Sequence, residues 1–313
     1  MSKLFANLII NSPSFLKLKR DFQSEKAAHA YLLVSPDTLA TKLTAQMFAL
    51  FCLGGDFKGL AEFNADMHFV GSKAADIDEM LKSVLNRPSK ASQKFYIITG
   101  ADTLSTICQN KLLKTLEEPP EATTIILCAS SKAQILAPVL SRARELELDS
   151  FSSYDIANEL REHSGALDTT IKLAAELSVG SLQSAHEFCT DKNKPIIFSK
   201  TLDVLKETLG SKNVLAGVAQ ILPYKEATSF IITLIESILR DTLMLHLGVP
   251  ALIKLKSHKD DLVALQQIYS IAAIEHIMPL MTKMRKRIKF NANHNSLVDE
   301  LVFGLAELRN KYK

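Results

Sequence analysis

The spacing of apolar and polar positions changes character once along this chain, near residue 150. Before that point short apolar runs alternate with amphipathic stretches. Runs at 30–34, 67–70, 95–98 and 123–127 read as strands, and Glu145-Leu146-Glu147-Leu148 as a short final strand. Between them, helical spacing predicts helices over 17–26, 41–53, 76–85, 104–116 and 133–141. Their ends are marked chemically: Ser35-Pro36-Asp37 reads as a turn, Gly54-Gly55 as a helix stop, and Pro119-Pro120 as a barrier that a helix cannot cross. Strands alternating with helices predict a mostly parallel, doubly wound sheet.

After residue 150 no strand rhythm survives. Helices are predicted at 153–163, 168–178 and 181–188, with Gly180 as a helix-ending glycine. The remainder from 199 reads as helical, broken near Gly210, Pro223, Gly248-Val249-Pro250 and residues 291–295. The expected organisation is α/β plus all-α: an α/β domain over 1–150, a small helical domain over 151–195 and a larger helical domain over 196–313.

Length and composition agree with a globular chain of two or three domains: 313 residues, 47% apolar and 23% charged. A formal charge of +3, from 37 basic and 34 acidic side chains, is too mild to announce a nucleic-acid binder. The most apolar stretch, 230–247, carries Glu236, Arg240 and Asp241, which argues against a membrane span. With no signal-like N-terminus, a soluble cytoplasmic protein is the expectation. Cys52, Cys108, Cys128 and Cys189 are too scattered for a metal knuckle and read as core residues.

One segment carries more information than any pattern. Asn110-Lys111-Leu112-Leu113-Lys114-Thr115-Leu116-Glu117-Glu118-Pro119-Pro120 resembles the NxLLKxLEEPP box of bacterial DNA polymerase III clamp-loader subunits. The strand at 124–130 and Ser141-Arg142-Ala143-Arg144 resemble that family's sensor strand and Ser-Arg-Cys motif, with Ala143 replacing the cysteine. Weaker likenesses are His29-Ala30-Tyr31-Leu32 before the first strand, 178–185 in the small helical domain, and Leu239-Arg240-Asp241 and 293–297 near the C-terminus. The resemblance implies an AAA+ parallel-sheet domain, a helical lid and a helical collar.

Within that family, nucleotide binding needs a glycine-rich loop, a lysine and a hydroxyl. Aligned on the first strand, those positions hold Ser35, Ala40, Thr41 and Lys42; shifting by one to use Lys42 leaves Leu43 where the magnesium ligand belongs. After the third strand only Asp102 of the acidic pair survives, and the sensor arginine of the lid falls near Gln183. The resemblance therefore implies the delta-prime type: a subunit with no ATP of its own that offers Arg142, with Ser141, to a neighbour's γ-phosphate. Arg144 is the weaker candidate for that finger. The clamp-opening delta subunit lacks the Ser-Arg pair. Implied partners are the gamma/tau motor subunits and delta in a hetero-oligomeric ring, the sliding clamp, and primed DNA through the assembled complex. Other readings are a divergent gamma/tau-type ATPase, or an AAA+-derived scaffold outside replication.

The family's four-cysteine zinc module is reduced here to Cys52 alone between residues 52 and 68, and His68-Phe69-Val70 stands for its His-Pro-Asp strand; neither zinc nor any other cofactor is expected. Glu117 and Glu118 read as a helix terminus before two prolines rather than an acid–base pair, and His68 as structural. The run Lys283, Arg285, Lys286, Arg287 and Lys289 reads first as a solvated helix face. Lys82, Arg87, Lys90 and Lys94 are candidate phosphate contacts by analogy with the channel face of family rings.

Overall fold

The computed structural model describes residues 4–24, 27–55, 64–208, 214–290 and 292–313. The chain forms two compact units, Met1–Gly165 with Gly180–His186, and Ala166–Val179 with Glu187–Lys313. The first holds α1 (Ala6–Ile10), α2 (Pro13–Gln23), β1 (Ala30–Val34), α3 (Thr38–Cys52), β2 (Met67–Val70), α4 (Ala74–Ser83), β3 (Lys94–Thr99), α5 (Thr106–Glu117), β4 (Thr123–Ala129), α6 (Ala137–Leu140), β5 (Arg144–Glu147) and α7 (Ser153–His163). The second begins with α8 (Asp168–Leu177). Helix α9 (Leu182–Thr190) starts in the first unit and ends in the second. Then follow α10 (Asn193–Asp203), α11 (Val214–Ile221), α12 (Thr228–His246), α13 (Lys259–Ile268), α14 (Ile271–Lys289) and α15 (His294–Lys311).

The five strands form one parallel sheet in the order β2-β3-β4-β1-β5. The three central strands are buried almost throughout, as their unbroken apolar runs require. Leu32, Ile98, Ile125 and Leu127 share a core with Ile77 of α4 and with Cys108, Leu112 and Leu116 of α5. The apolar residues of the Asn110–Glu118 box are thus core contacts first. The order puts the carboxyl ends of β3, β4 and β1 side by side, and β1 sends its chain to one edge of the sheet while β4 sends its chain to the other. That is the place where open α/β sheets hold ligands.

Several predicted elements shift, each for a local reason. Helix α2 starts at Pro13, because the Ser12 side chain caps it and proline suits a first turn; its predicted end at Lys26 lies outside the described residues. Helix α3 starts at Thr38, three residues early, because Asp37 caps it. The single helix predicted over 133–141 is instead a 3₁₀ turn, Lys132–Gln134, and the short α6. Buried Gln109 separates them: its amide donates to the carbonyl of Gln134 at 2.9 Å and its carbonyl accepts from the N–H of Leu136 at 2.8 Å. The predicted break near Gly210 lies outside the described residues, the one over 291–295 falls between α14 and α15, where Asn293 caps α15, and the one near Pro223 is a 3₁₀ stretch, Leu222–Ala227.

In the second unit the buried Asp241 accepts the N–H groups of Lys254 and Leu255 at 2.9 and 2.7 Å, which ties α12 to the turn that follows it. The basic run of α14 is largely consumed by neighbours: Lys283 and Arg287 pair with Glu300, and Arg285 with Glu236. Lys286 and Lys289 remain exposed.

The segment after α4 is pinned from below. Buried Asp66 accepts the N–H groups of Ser89, Lys90 and Ala91. Burial pushes its carboxyl up, but these donors and His68 outweigh burial and hold it below the usual range. A depressed folded-state pKa contributes stability above the unfolded value and loses it as pH falls through the folded one. Asp66→Asn should therefore cost about 1–3 kcal/mol near neutral pH. Its stability should also fall less steeply than the parent's on acidification below the ordinary aspartate pKa of about 3.9. Urea unfolding at neutral and acid pH measures both; identical curves for parent and variant would contradict the assignment.

Candidate functional site

At the carboxyl end of β1 the chain turns through Ser35, Pro36 and Asp37 into α3. Ser35 is buried, its N–H donates to the carbonyl of Ala129 at 3.1 Å, and its hydroxyl accepts the N–H of Asp37. The carboxylate of Asp37 then turns back on the helix it opens. Its Oδ1 accepts the N–H groups of Leu39 and Ala40, both at 3.1 Å, and that of Gln183 at 3.3 Å; its Oδ2 accepts the N–H of Leu182. Asp37 is 8% exposed. A helix N-terminus presents free N–H groups and a partial positive charge, which makes it a ready anion site. Here a side-chain carboxylate of the same chain fills it.

The other sequence-predicted positions follow suit. Thr41 is buried and its hydroxyl donates to the carbonyl of Thr38. The ammonium of Lys42 lies over the ring of Phe69 on β2, 5.5 Å from its centre, and Ala40 is buried. The hydroxyl of Thr38 bonds the side-chain carbonyl of Gln183. Asp102 is 7% exposed, and its Oδ2 accepts both the N–H and the hydroxyl of Ser130 at the end of β4. Gly180, at φ 87°, sits against the carbonyl of Phe151; a Cβ there would lie 2.7 Å from that oxygen, so the approach of residues 180–183 to this end of the sheet needs glycine.

Ser141 and Arg142 close α6 at a separate corner of this unit. The hydroxyl of Ser141 donates to the carbonyl of Pro138 at 3.0 Å. Arg142 spends Nη1 on the same carbonyl, at 2.8 Å, and on the Ser141 hydroxyl, at 3.2 Å; its Nη2 lies 2.6 Å from Oε1 of Glu117. The last residue of α5 and the first arginine after α6 are thus ion-paired, which brings the 110–120 and 141–144 segments together. Arg144 instead sits on β5 and pairs with Asp21 of α2 at 2.8 Å. That contact braces an edge strand and separates the two arginines by role.

The basic set divides. Lys82, Arg87 and Lys90 are exposed. Lys94 is not, and the expectation that it contacts phosphate is corrected: it is 2% exposed, and its ammonium donates to the carbonyls of Ser83, at 3.1 Å, and Asn86, which capture the end of α4. Burial lowers its pKa, partly offset by Asp66. His68 stacks on Tyr96 at 4.9 Å, a structural placement, and burial lowers its pKa. Cys108 and Cys128 are buried, whereas Cys52 and Cys189 are only half-buried. Among the described residues no cluster of three or more histidine, cysteine or acidic side chains is placed to hold a metal; residues 56–63 of the reduced zinc interval lie outside them.

Two residues escaped sequence reasoning. Asp37 was legible as an aspartate just ahead of an apolar helix, the preferred N-cap signature. No local signal joins Glu117 to Arg142, because their contact is made by the sheet rather than by spacing.

Residues 10–152 match the family described as DNA polymerase III, delta subunit. The chain is 23% identical over 333 residues to the delta' subunit of DNA polymerase III from Bacillus subtilis, covering 94% of this chain and 96% of that one. It is 30% identical over 136 residues to the tau subunit of DNA polymerase III from Escherichia coli, covering 42% of this chain but only 21% of the relative. The matches to the first gamma and tau relatives span between 21% and 43% of their length. A gamma subunit-related protein of DNA polymerase III from Thermotoga maritima shares the fold, with a TM-score of 0.54 at 16% identity over 95% of this chain and 99% of that one. Among the described residues no helix is long and apolar enough to cross a membrane. The parallel sheet, the motif pair and these likenesses point the same way: residues 10–152 are similar to the DNA polymerase III delta-subunit family, and the fold is shared with a gamma subunit-related protein.

Proposed function

We propose that this chain is the delta-prime-type member of the clamp loader, hydrolysing no ATP itself and completing a neighbouring subunit's ATP site with Arg142. The observation that carries this reading is the carboxylate of Asp37 on the N-terminus of α3. A nucleotide phosphate placed there would meet a buried like charge and would have to displace its N–H bonds. No glycine lies in the loop to open it, Lys42 is turned toward Phe69, and Asp102 is committed to Ser130. The near full-length likeness to a delta' subunit supports the same reading.

The part left for chemistry faces outward. A guanidinium aimed at a neighbour's γ-phosphate stabilises charge that grows as the phosphoryl group leaves, so it acts on the transition state more than on bound ATP. In this reading the partners are the gamma/tau motor subunits and delta in a ring. The ring opens the sliding clamp and places it on primed DNA, with Lys82, Arg87 and Lys90 available to phosphates. Neither ATP nor zinc is held by this chain.

Calorimetric titration of the full chain with ATP and magnesium should show no saturable binding across the ordinary substrate range of about 1 μM to 1 mM. A tight, magnesium-dependent isotherm would restore the motor reading. Metal analysis of chelator-free protein should find no stoichiometric zinc, and one equivalent per chain would overturn that expectation. In a reconstituted loader, Arg142→Ala should leave assembly intact, because an exposed ion pair supports about 0–1 kcal/mol. DNA-stimulated ATP turnover should fall severalfold; trans-acting fingers contribute about 10³–10⁵ in some GTPases, and one site among several shows less. Lysine should rescue poorly, lacking the planar fork. Arg144→Ala, which frees Asp21, should keep turnover, and parent-like rates in the Arg142→Ala loader would sink the donor mechanism.

A further inference from the structure

The guanidinium of Arg142 is held in the chain on its own, before any neighbour arrives. Its Nη1 is bound twice, by the carbonyl of Pro138 and the hydroxyl of Ser141, and its Nη2 is held by Glu117. The groups that hold it are themselves fixed. Pro138 lies in α6 and Ser141 ends it, and Gln109 clamps the residues just before that helix. Glu117 is the last residue of α5, where Pro119-Pro120 forbids another turn, and Leu116 beside it is buried. The side chain of Arg142 is still 33% exposed and that of Glu117 49%, so a face of the fork remains open to solvent. Its Nε has no hydrogen-bond partner among the described residues.

We infer that Glu117 is a positioning residue for Arg142: together with Ser141 and Pro138 it keeps the guanidinium in one orientation, ready for a neighbouring subunit's phosphate. This rests on the reading of Arg142 as the trans-acting finger. The physical reason is entropic. A free arginine samples many rotamers and must lose them when it engages. Glu117 removes that freedom beforehand, on a rigid helix end, and leaves the outer N–H groups unspent. An exposed pair contributes little to folding, so its use lies in orientation rather than stability.

Two measurements decide it. In the full chain, NMR of the Arg142 guanidinium, assigned against Arg142→Lys, should show slowed rotation in the parent and fast rotation in Glu117→Gln. Equal rotation in both overturns the inference. In the reconstituted loader, Glu117→Gln should lower ATP turnover by about tenfold or less with the KM for ATP unchanged, and Glu117→Asp should restore part of it. In an Arg142→Ala background the same change should have no further effect, since a residue acting through another is silent once that other is gone. Parent-like or faster turnover in Glu117→Gln, or a loss that adds to that of Arg142→Ala, overturns the inference alone. Parent-like turnover in Arg142→Ala itself removes the donor reading, and this inference with it.

Discussion

The carboxylate of Asp37 organises the ligand-binding end of the sheet. It accepts N–H groups from the first turn of α3 and from residues 182 and 183 at once. In a P-loop protein that helix end owes its order to a bound phosphate. Here the compensating charge is covalently part of the chain. The neighbouring features are consistent with that substitution. Gly180 lets residues 180–183 come close, Thr41 satisfies its hydroxyl within its own helix, and Asp102 bonds Ser130 just past β4. Without these acceptors the N–H groups at this end of the sheet would be left unsatisfied, which is costly.

Much of this was readable in the order of residues. Uninterrupted apolar runs locate the three central strands within a residue or two, because both faces of a parallel sheet are covered and the pattern has no polar half to confuse it. Strand order was not readable, since it is decided by which edges pair. Motif spacing singled out Arg142 and the loop after the first strand, but not their surroundings. Lys94 shows the difference clearly. By sequence it is a cation next to Arg87 and Lys90; in the fold it is the first residue of an inner strand, and its stem carries the ammonium to two carbonyls at the end of α4. Nothing in the charge pattern separates a lysine that reaches outward from one that seals a helix end.

The helical unit gives the same lesson in the opposite direction. The run at 283–289 has no acid within it and reads along the chain as a solvated helix face. Acids arrive from elsewhere in the fold: Glu300 from α15 and Glu236 from α12. A helix face that looks unpaired along the chain is largely neutralised across it. Lys286 and Lys289 are exposed, as is Lys283 despite its pairing with Glu300.

The two acid-bearing corners of the α/β unit therefore differ in burial, and burial decides what each can do. Asp37 and Asp102 are more than nine-tenths buried, and their oxygens are taken by backbone N–H groups and, for Asp102, also by the hydroxyl of Ser130. Exchanging them would expose unsatisfied donors, so they are fixed. Glu117 and Arg142 lie at the surface, where water can replace either partner at small cost. One arrangement holds its acids against fixed donors; the other holds a cation in place while leaving it able to change partners.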